Sequence, residues 1–267
     1  MIAPADPGLA AVLRALRRRG GAAARWYKDG CLVRRIELRM RARKVPTITG
    51  YASLLTRDPA EAEQLLDALS IRVTGFFRDP DSWRRLGDLL DSDPVGREPP
   101  RQAWSMGCST GEEAWSLALL IRQRIGPDRS GFRVLGSDLD ETALRFAEAG
   151  CYSAAAGEAI RGFLGQPGGI AREGRFQVDP GLRARVRFVR EDLTRTRREP
   201  ETFDLVCCRN VLIFMGREGQ RRILEQARRA LRPGGLLMLG RTESLAALGP
   251  SGFVSLDTSH RIYQRTP

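Results

Sequence analysis

The chain has 267 residues, 42% of them hydrophobic and 28% charged, which suits one or two globular domains and excludes a disordered chain. No apolar run reaches the roughly 18 residues of a membrane span, and Met1–Pro7 lacks the basic-then-apolar stretch of a signal peptide, so a soluble, cytoplasmic protein is expected. Five cysteines without a CxxC pair and a single histidine, His260, argue against a disulfide framework, a structural zinc site and a histidine-dependent nucleophile.

The net charge of +12 is unevenly placed: residues 1–50 hold ten arginines and two lysines against Asp6, Asp29 and Glu37. Such a segment suits an acidic partner, or is an arginine-rich solvated helix surface. From Leu9 to about Leu90 the pattern is helical. Leu9, Val12, Leu13 and Leu16 recur at helical spacing before a Gly20-Gly21 stop. Leu32, Val33, Ile36 and Met40 mark the apolar stripe of a second helix that Pro46 ends, and Asp58-Pro59 opens another carrying Leu65, Leu66 and Leu69. Residues 91–100 hold three prolines and a glycine, which predicts a linker between a helical domain over 1–90 and a second domain over 101–267.

Beyond the linker strand and helix alternate. Strands are predicted at Ala103–Met106, Phe132–Gly136, Val186–Val189, Phe203–Cys208 and Leu236–Gly240, with a terminal hairpin over Phe253–Tyr263. Helices follow the first strand, at Thr142–Ala149 and at Arg217–Leu231. This alternation implies an α/β fold with a largely parallel sheet covered on both faces. Tyr152–Arg183, rich in glycine, reads as an inserted subdomain.

The first strand runs into Trp104-Ser-Met-Gly-Cys-Ser-Thr-Gly111-Glu112-Glu113. Small residues after a strand let a ligand approach the backbone where a helix begins. The loop lacks the Gly-Lys-Ser/Thr of a phosphate loop, and two carboxylates at the helix start would repel a pyrophosphate. Asp138, at the end of the second strand, occupies the place where an acid takes ribose hydroxyls in doubly wound folds. Together these residues predict a nucleoside ligand without phosphates, and S-adenosylmethionine fits that description.

The ordered motifs resemble those of the CheR-type chemotaxis receptor methyltransferases over nearly the whole chain. The resemblance is carried by Val73-Thr-Gly-Phe-Phe-Arg78-Asp-Pro80 and by Trp104 to Glu113 with Trp115-Ser-Leu-Ala118. It continues through Gly136-Ser-Asp-Leu-Asp140 with Leu144, Ala147 and Gly150-Cys-Tyr152, through Cys208-Arg-Asn-Val-Leu-Ile213, and through Leu231–Gly235 with Leu239-Gly-Arg-Thr-Glu-Ser-Leu245. It implies an all-α N-terminal domain and a Rossmann-like S-adenosylmethionine-binding domain with a small inserted β-subdomain. It also implies cofactor contacts at Thr74, Arg78, Gly107, Glu112, Asp138, Asp192, Leu193, Asn210 and Val211. Departures from the family pattern are Asp192 in place of Asn, Arg72 where some members have Asn, and Phe214 in place of Tyr.

The implied reaction is methyl esterification of glutamate side chains on a chemotaxis-type receptor by a monomeric enzyme that needs neither metal nor nucleic acid. A carboxylate is ionised at neutral pH and needs no general base, so only Arg78 is a candidate catalytic residue, holding cofactor or substrate carboxylate. Arg35, Arg39 and Arg43, at i, i+4 spacing, are expected to face outward and meet acidic receptor helices. Two other readings remain: a nucleic-acid methyltransferase, against which stands the lack of an N/D-P-P-Y/F motif or a Cys–Pro nucleophile, and a non-catalytic sensor of the cofactor or its demethylated product.

Overall fold

A computed structural model describes residues 6–18, 26–69, 74–91, 101–125, 131–245 and 252–267. The chain divides into two units: Met1–Ile71 with Phe214–Arg222, and Arg72–Ile213 with Ile223–Pro267. The N-terminal unit contains α1 (Pro7–Arg18), α2 (Asp29–Ala42), α3 (Ile48–Arg57) and α4 (Pro59–Leu69). Its core gathers the predicted stripes, with Leu9, Val12 and Leu16 of α1, Leu32 and Ile36 of α2, and Leu65 of α4 all buried. Helix α3 has no strong local signal, since it carries threonine, glycine, tyrosine and serine. Burial of Ile48, Tyr51, Ala52 and Leu55 on one face, and a cap from Thr47, whose Oγ1 accepts from Gly50 N at 3.2 Å, hold it instead.

The larger unit starts with α5 (Pro80–Asp91), followed by β1 (Gln102–Met106), α6 (Glu112–Ile125), β2 (Arg133–Asp138) and α7 (Glu141–Ala149). The inserted segment forms β3 (Cys151–Ser153), α8 (Ala154–Leu164), β4 (Gly169–Arg172), β5 (Arg175–Val178) and the short α9 (Pro180–Arg183). Then come β6 (Val186–Arg190), β7 (Phe203–Cys208), α10 (Arg217–Ala230, of which Ile223 onward belongs to this unit), β8 (Leu231–Leu239), β9 (Phe253–Asp257) and β10 (Ile262–Arg265). The expected boundary at residue 90 is corrected to Ile71/Arg72, because Trp83 and Leu86 of α5 are buried in the same core as Leu117, Ile121 and Leu205 of the sheet domain. The predicted linker over 91–100 lies, apart from Asp91, outside the described residues.

Among the described residues, seven strands form one sheet in the order β6-β2-β1-β7-β8-β10-β9, with β10 antiparallel to both β8 and β9 and the other pairings parallel. Every residue of β7 is buried, as a central strand covered on both faces requires. The inserted segment is a separate antiparallel sheet, β3-β5-β4, whose hairpin turn Glu173-Gly174 has both φ values positive (46° and 74°). The strand order reverses direction between β1 and β7, so the connections leaving their C-terminal ends diverge and open a crevice there.

Candidate cofactor site

Because β6, β2, β1 and β7 are parallel, their C-terminal ends share one edge of the sheet. That edge collects most of the residues singled out in the sequence: Gly107 and Glu112 after β1, Asp138 at the end of β2, Asp192 and Leu193 after β6, and Asn210 and Val211 after β7.

The first loop leaves β1 through Gly107 (φ 74°), Ser109 (φ 50°) and Gly111 (φ 95°). The amides of Gly107 and Cys108 both donate to Ser137 O, at 2.8 and 3.0 Å, tying the loop to β2. A Cβ on Gly107 would lie 2.5 Å from Val211 Cγ2, and one on Gly111 would lie 2.6 Å from Ala147 Cβ, so neither position has room for a side chain. Tyr152 braces the loop from the inserted segment by donating its hydroxyl to Thr110 O at 2.6 Å.

Asp138 organises the same loop. Its Oδ2 accepts from Ser109 N at 2.8 Å and its Oδ1 from Asp140 N at 2.9 Å. Asp140, not Asp138, caps α7, accepting from Ala143 N at 2.9 Å. Each Asp138 oxygen therefore keeps acceptor capacity for a hydroxyl. Burial pushes the Asp138 carboxyl up, against the pull of the two amides. Ser109 Oγ is buried with no hydrogen-bond partner among the described residues, an unmet polar atom beside that carboxylate.

The first turn of α6 carries two carboxyl groups. Glu112 accepts from Thr110 Oγ1 at 2.7 Å, and burial raises its pKa. Glu113 accepts from Ser105 Oγ at 2.8 Å and lies 3.8 Å from Arg209 Nη1. Burial pushes it up to about 7, while Arg209 and the Ser105 hydroxyl pull the other way.

After β7 the chain turns through Asn210 in the left-handed region (φ 60°). The turn is held by buried Glu243, whose carboxylate accepts from Asn210 N at 2.8 Å, Leu212 N at 2.7 Å, Ile213 N at 3.3 Å and Gly240 N at 2.7 Å. After β6, Asp192 Oδ1 accepts from Thr194 N at 2.9 Å and from Thr194 Oγ1 at 2.5 Å, closing a local turn over buried Leu193. The Asp in place of Asn thus still makes the turn. Arg78 is exposed on a segment whose neighbours Phe77 (φ 48°) and Asp79 (φ 56°) are both left-handed, and Thr74 precedes it half-buried. Arg72 lies outside the described residues.

Glu243, Arg209, Ser109 and Tyr152 were not singled out by role in the sequence, although each lies within a quoted motif. The expected outward strip on α2 is corrected at Arg39, while Arg43 is exposed as expected but also paired. Arg39 donates from Nε to Glu61 Oε1 at 2.9 Å and from Nη2 to Glu61 Oε2 at 2.6 Å, and Arg43 pairs with Asp58 at 3.0 Å and Glu61 at 3.4 Å. Glu61 is buried and needs these cations, so both guanidiniums turn toward α4 and its N-terminus. Arg35 is half-buried, and Arg34, Arg41 and Arg43 are exposed.

The groups at the sheet edge fit S-adenosylmethionine: acceptors for ribose hydroxyls, carboxylates for a cationic ligand, and a glycine cradle with no space for side chains. The fold and this edge define a Rossmann-like domain that binds a nucleoside cofactor. Residues 72–260 match the family model described as the CheR methyltransferase SAM-binding domain, and residues 7–70 match the CheR methyltransferase all-alpha domain. The chain belongs to the CheR methyltransferase family and is a protein methyltransferase that uses S-adenosylmethionine.

It is similar to the chemotaxis protein methyltransferases of Klebsiella aerogenes (31% identity, 86% of this chain and 81% of that one) and Listeria innocua (29%, 91% and 92%). It is also 35% identical, over 89% of its length, to an uncharacterised 104.1 kDa protein of Rhodobacter capsulatus, of which it spans a quarter (25%).

Proposed function

We propose that the chain methylates glutamate side chains of a chemotaxis-type receptor, forming methyl esters, and that it does so in the cytoplasm. The observation that carries this reading is a cofactor edge that offers anchoring groups and no histidine base. The one histidine, His260, sits in the β9–β10 turn, with Nδ1 3.1 Å from both Asp257 Oδ1 and Ser259 Oγ. An acceptor that arrives already ionised needs no such base, and a glutamate carboxylate is one. The relatives described as chemotaxis protein methyltransferases support a protein acceptor that belongs to a chemotaxis system.

Bound S-adenosylmethionine supplies an electrophilic methyl group on a sulfonium. Asp138 and Ser109 would take the ribose hydroxyls. Asn210, Val211, Asp192 and Leu193 would hold the cofactor along the edge, and Glu112 would offer a carboxylate to its positive charge. Thr74 and Arg78 would complete the site, with Arg78 holding the cofactor's or the acceptor's carboxylate. Catalysis then rests on proximity, alignment and partial desolvation. No membrane-crossing helix is found among the described residues. On the N-terminal unit, Arg34, Arg35, Arg41 and exposed Arg43 form the basic face that meets an acidic receptor helix, without the Arg39 expected from spacing alone.

The test is transfer of a tritiated methyl group from the cofactor to a receptor, followed by mild base. Esters release volatile labelled methanol, whereas N-methyl groups and most nucleic-acid methyl groups do not. Label that stays on protein or travels with nucleic acid refutes the glutamate acceptor.

A further inference from the structure

We infer that Arg209 is a positioning residue: it clamps the strained backbone around Arg78 and so sets where the Arg78 side chain works. The inference presupposes the proposed role of Arg78 at the cofactor edge.

Arg209 directly follows β7 and is only 6% exposed. A guanidinium stays charged in any protein setting, so a buried one must be paired. Its Nη2 donates to Arg78 O and to Asp79 Oδ2, both at 2.8 Å. Its Nη1 faces Glu113 at 3.8 Å, and its central carbon lies 5.5 Å from the centre of the Trp83 ring. Trp83 Nε1 donates to the same Arg78 carbonyl at 3.0 Å, so that oxygen is held by two donors from two elements.

This concentration of contacts falls on a backbone that needs it. Phe77 and Asp79 both have positive φ, a conformation that is costly at a non-glycine residue and persists only when its surroundings enforce it. Ser116 Oγ accepts from Phe77 N at 2.9 Å, and Asp79 O accepts from Ser82 N at 2.9 Å, fixing the two ends. Arg209 holds the middle. One residue further on, Asn210 is anchored to Glu243. The clamp thus joins the turn after β7 to the segment that carries Arg78. A lysine keeps the charge but lacks the planar fork that reaches carbonyl, Asp79 and Glu113 together.

The experiment is a double-mutant cycle on the full chain with Arg209→Lys, Arg78→Ala and both together. S-adenosylhomocysteine affinity is measured by calorimetry, and receptor methylation is measured alongside. Both readouts are taken, and the cycle is judged on whichever of them Arg78→Ala lowers. Arg209→Lys should lower that quantity about 10-fold or more in the wild-type background and less than about 2-fold when Arg78 is already alanine, because its effect passes through Arg78. Hydrogen exchange in the ligand-free protein should rise over residues 74–80 without a matching rise in β1 or β7.

Equal losses in both backgrounds, or an Arg78→Ala variant normal in both readouts, overturn the inference. If Arg209→Lys does not fold, Asp79→Asn replaces it with the same expectations, since it weakens one arm of the clamp at a partly exposed position. Wild-type protein that binds S-adenosylhomocysteine but methylates no receptor counts against the proposed acceptor and leaves the cycle readable on affinity. An active wild type with additive losses counts against the clamp alone.

Discussion

Replacing Glu61 by glutamine should destabilise the N-terminal unit more than any single change on its exposed basic face. The Glu61 carboxylate is buried and receives Arg39 Nε (2.9 Å), Arg39 Nη2 (2.6 Å) and the Tyr51 hydroxyl (2.6 Å), with Arg43 Nε at 3.4 Å. Glutamine keeps the shape but turns one acceptor oxygen into a donor that faces donors. It also leaves the guanidinium of Arg39, 20% exposed, without its counter-charge. Removing one partner of a fully buried pair costs about 3–5 kcal/mol, and partial access of Arg39 to water lowers the expected figure to about 2–4 kcal/mol. That is a large share of the roughly 5–15 kcal/mol that holds a domain folded. Urea unfolding of the full chain, followed by circular dichroism, reads the loss.

The pH dependence of that stability is a second readout. Burial works against the charged form of Glu61, but the bonds from Arg39 and Tyr51 and the nearby Arg43 outweigh it and lower the pKa. The charged cluster therefore contributes fully above the ordinary carboxylate range and is lost as pH falls through the depressed value. The stability difference between wild type and Glu61→Gln should therefore shrink as pH falls into the acid range. A stability loss below about 1 kcal/mol, or parallel acid profiles, would refute the argument that Arg39 is committed to the fold. For the same reason reversing Arg39 and Arg43 to glutamate would unfold the unit rather than report on a receptor surface, and that surface is better tested at Arg34, Arg35 and Arg41.

Three further outcomes are expected. Gly107→Ala puts a Cβ at φ 74° and 2.5 Å from Val211 Cγ2 and should cut cofactor affinity more than about 10-fold by calorimetry; unchanged affinity would show that the cofactor does not approach this loop. Asp138→Ala should cost about 1.5–3 kcal/mol of cofactor binding and also lower the melting temperature, because it releases the Ser109 and Asp140 amides; loss of stability without loss of affinity would remove Asp138 from the ribose site. Glu113, pushed by burial up to about 7, binds a proton more readily folded than unfolded, so its contribution to stability is present at low pH and falls as pH rises from the ordinary carboxylate range through about 7. Between pH 5 and 8 wild type should lose about 2–3 kcal/mol relative to Glu113→Gln, and unfolding profiles that run parallel would contradict that placement.

Much of the second unit was legible because its signals are local. The β7 span, Phe203–Cys208, matches the predicted strand, since a short and mostly apolar run (only Asp204 is charged) bounded by polar residues marks a central parallel strand wherever it lies. The loop Gly107–Glu113 and Asp138 were found because a glycine turn and an acid at a strand end are read within a few residues. Parallel pairing alone then brings Gly107, Asp138, Asp192 and Asn210 to one edge. What the residues do to one another there depends on contacts distant in sequence: Arg209 meets Arg78 across 131 positions, and Glu243 meets Asn210 across 33. The same holds for α5, helical by its own pattern but assigned to the sheet domain by burial of Trp83 and Leu86, and for Arg39, whose i, i+4 strip does not reveal a buried acid on another helix. Local periodicity specifies which face of an element is apolar. The charged groups on the remaining faces find their partners only when the chain has packed, because burial decides which charges must be paired and the tertiary structure decides which groups are near enough to pair them.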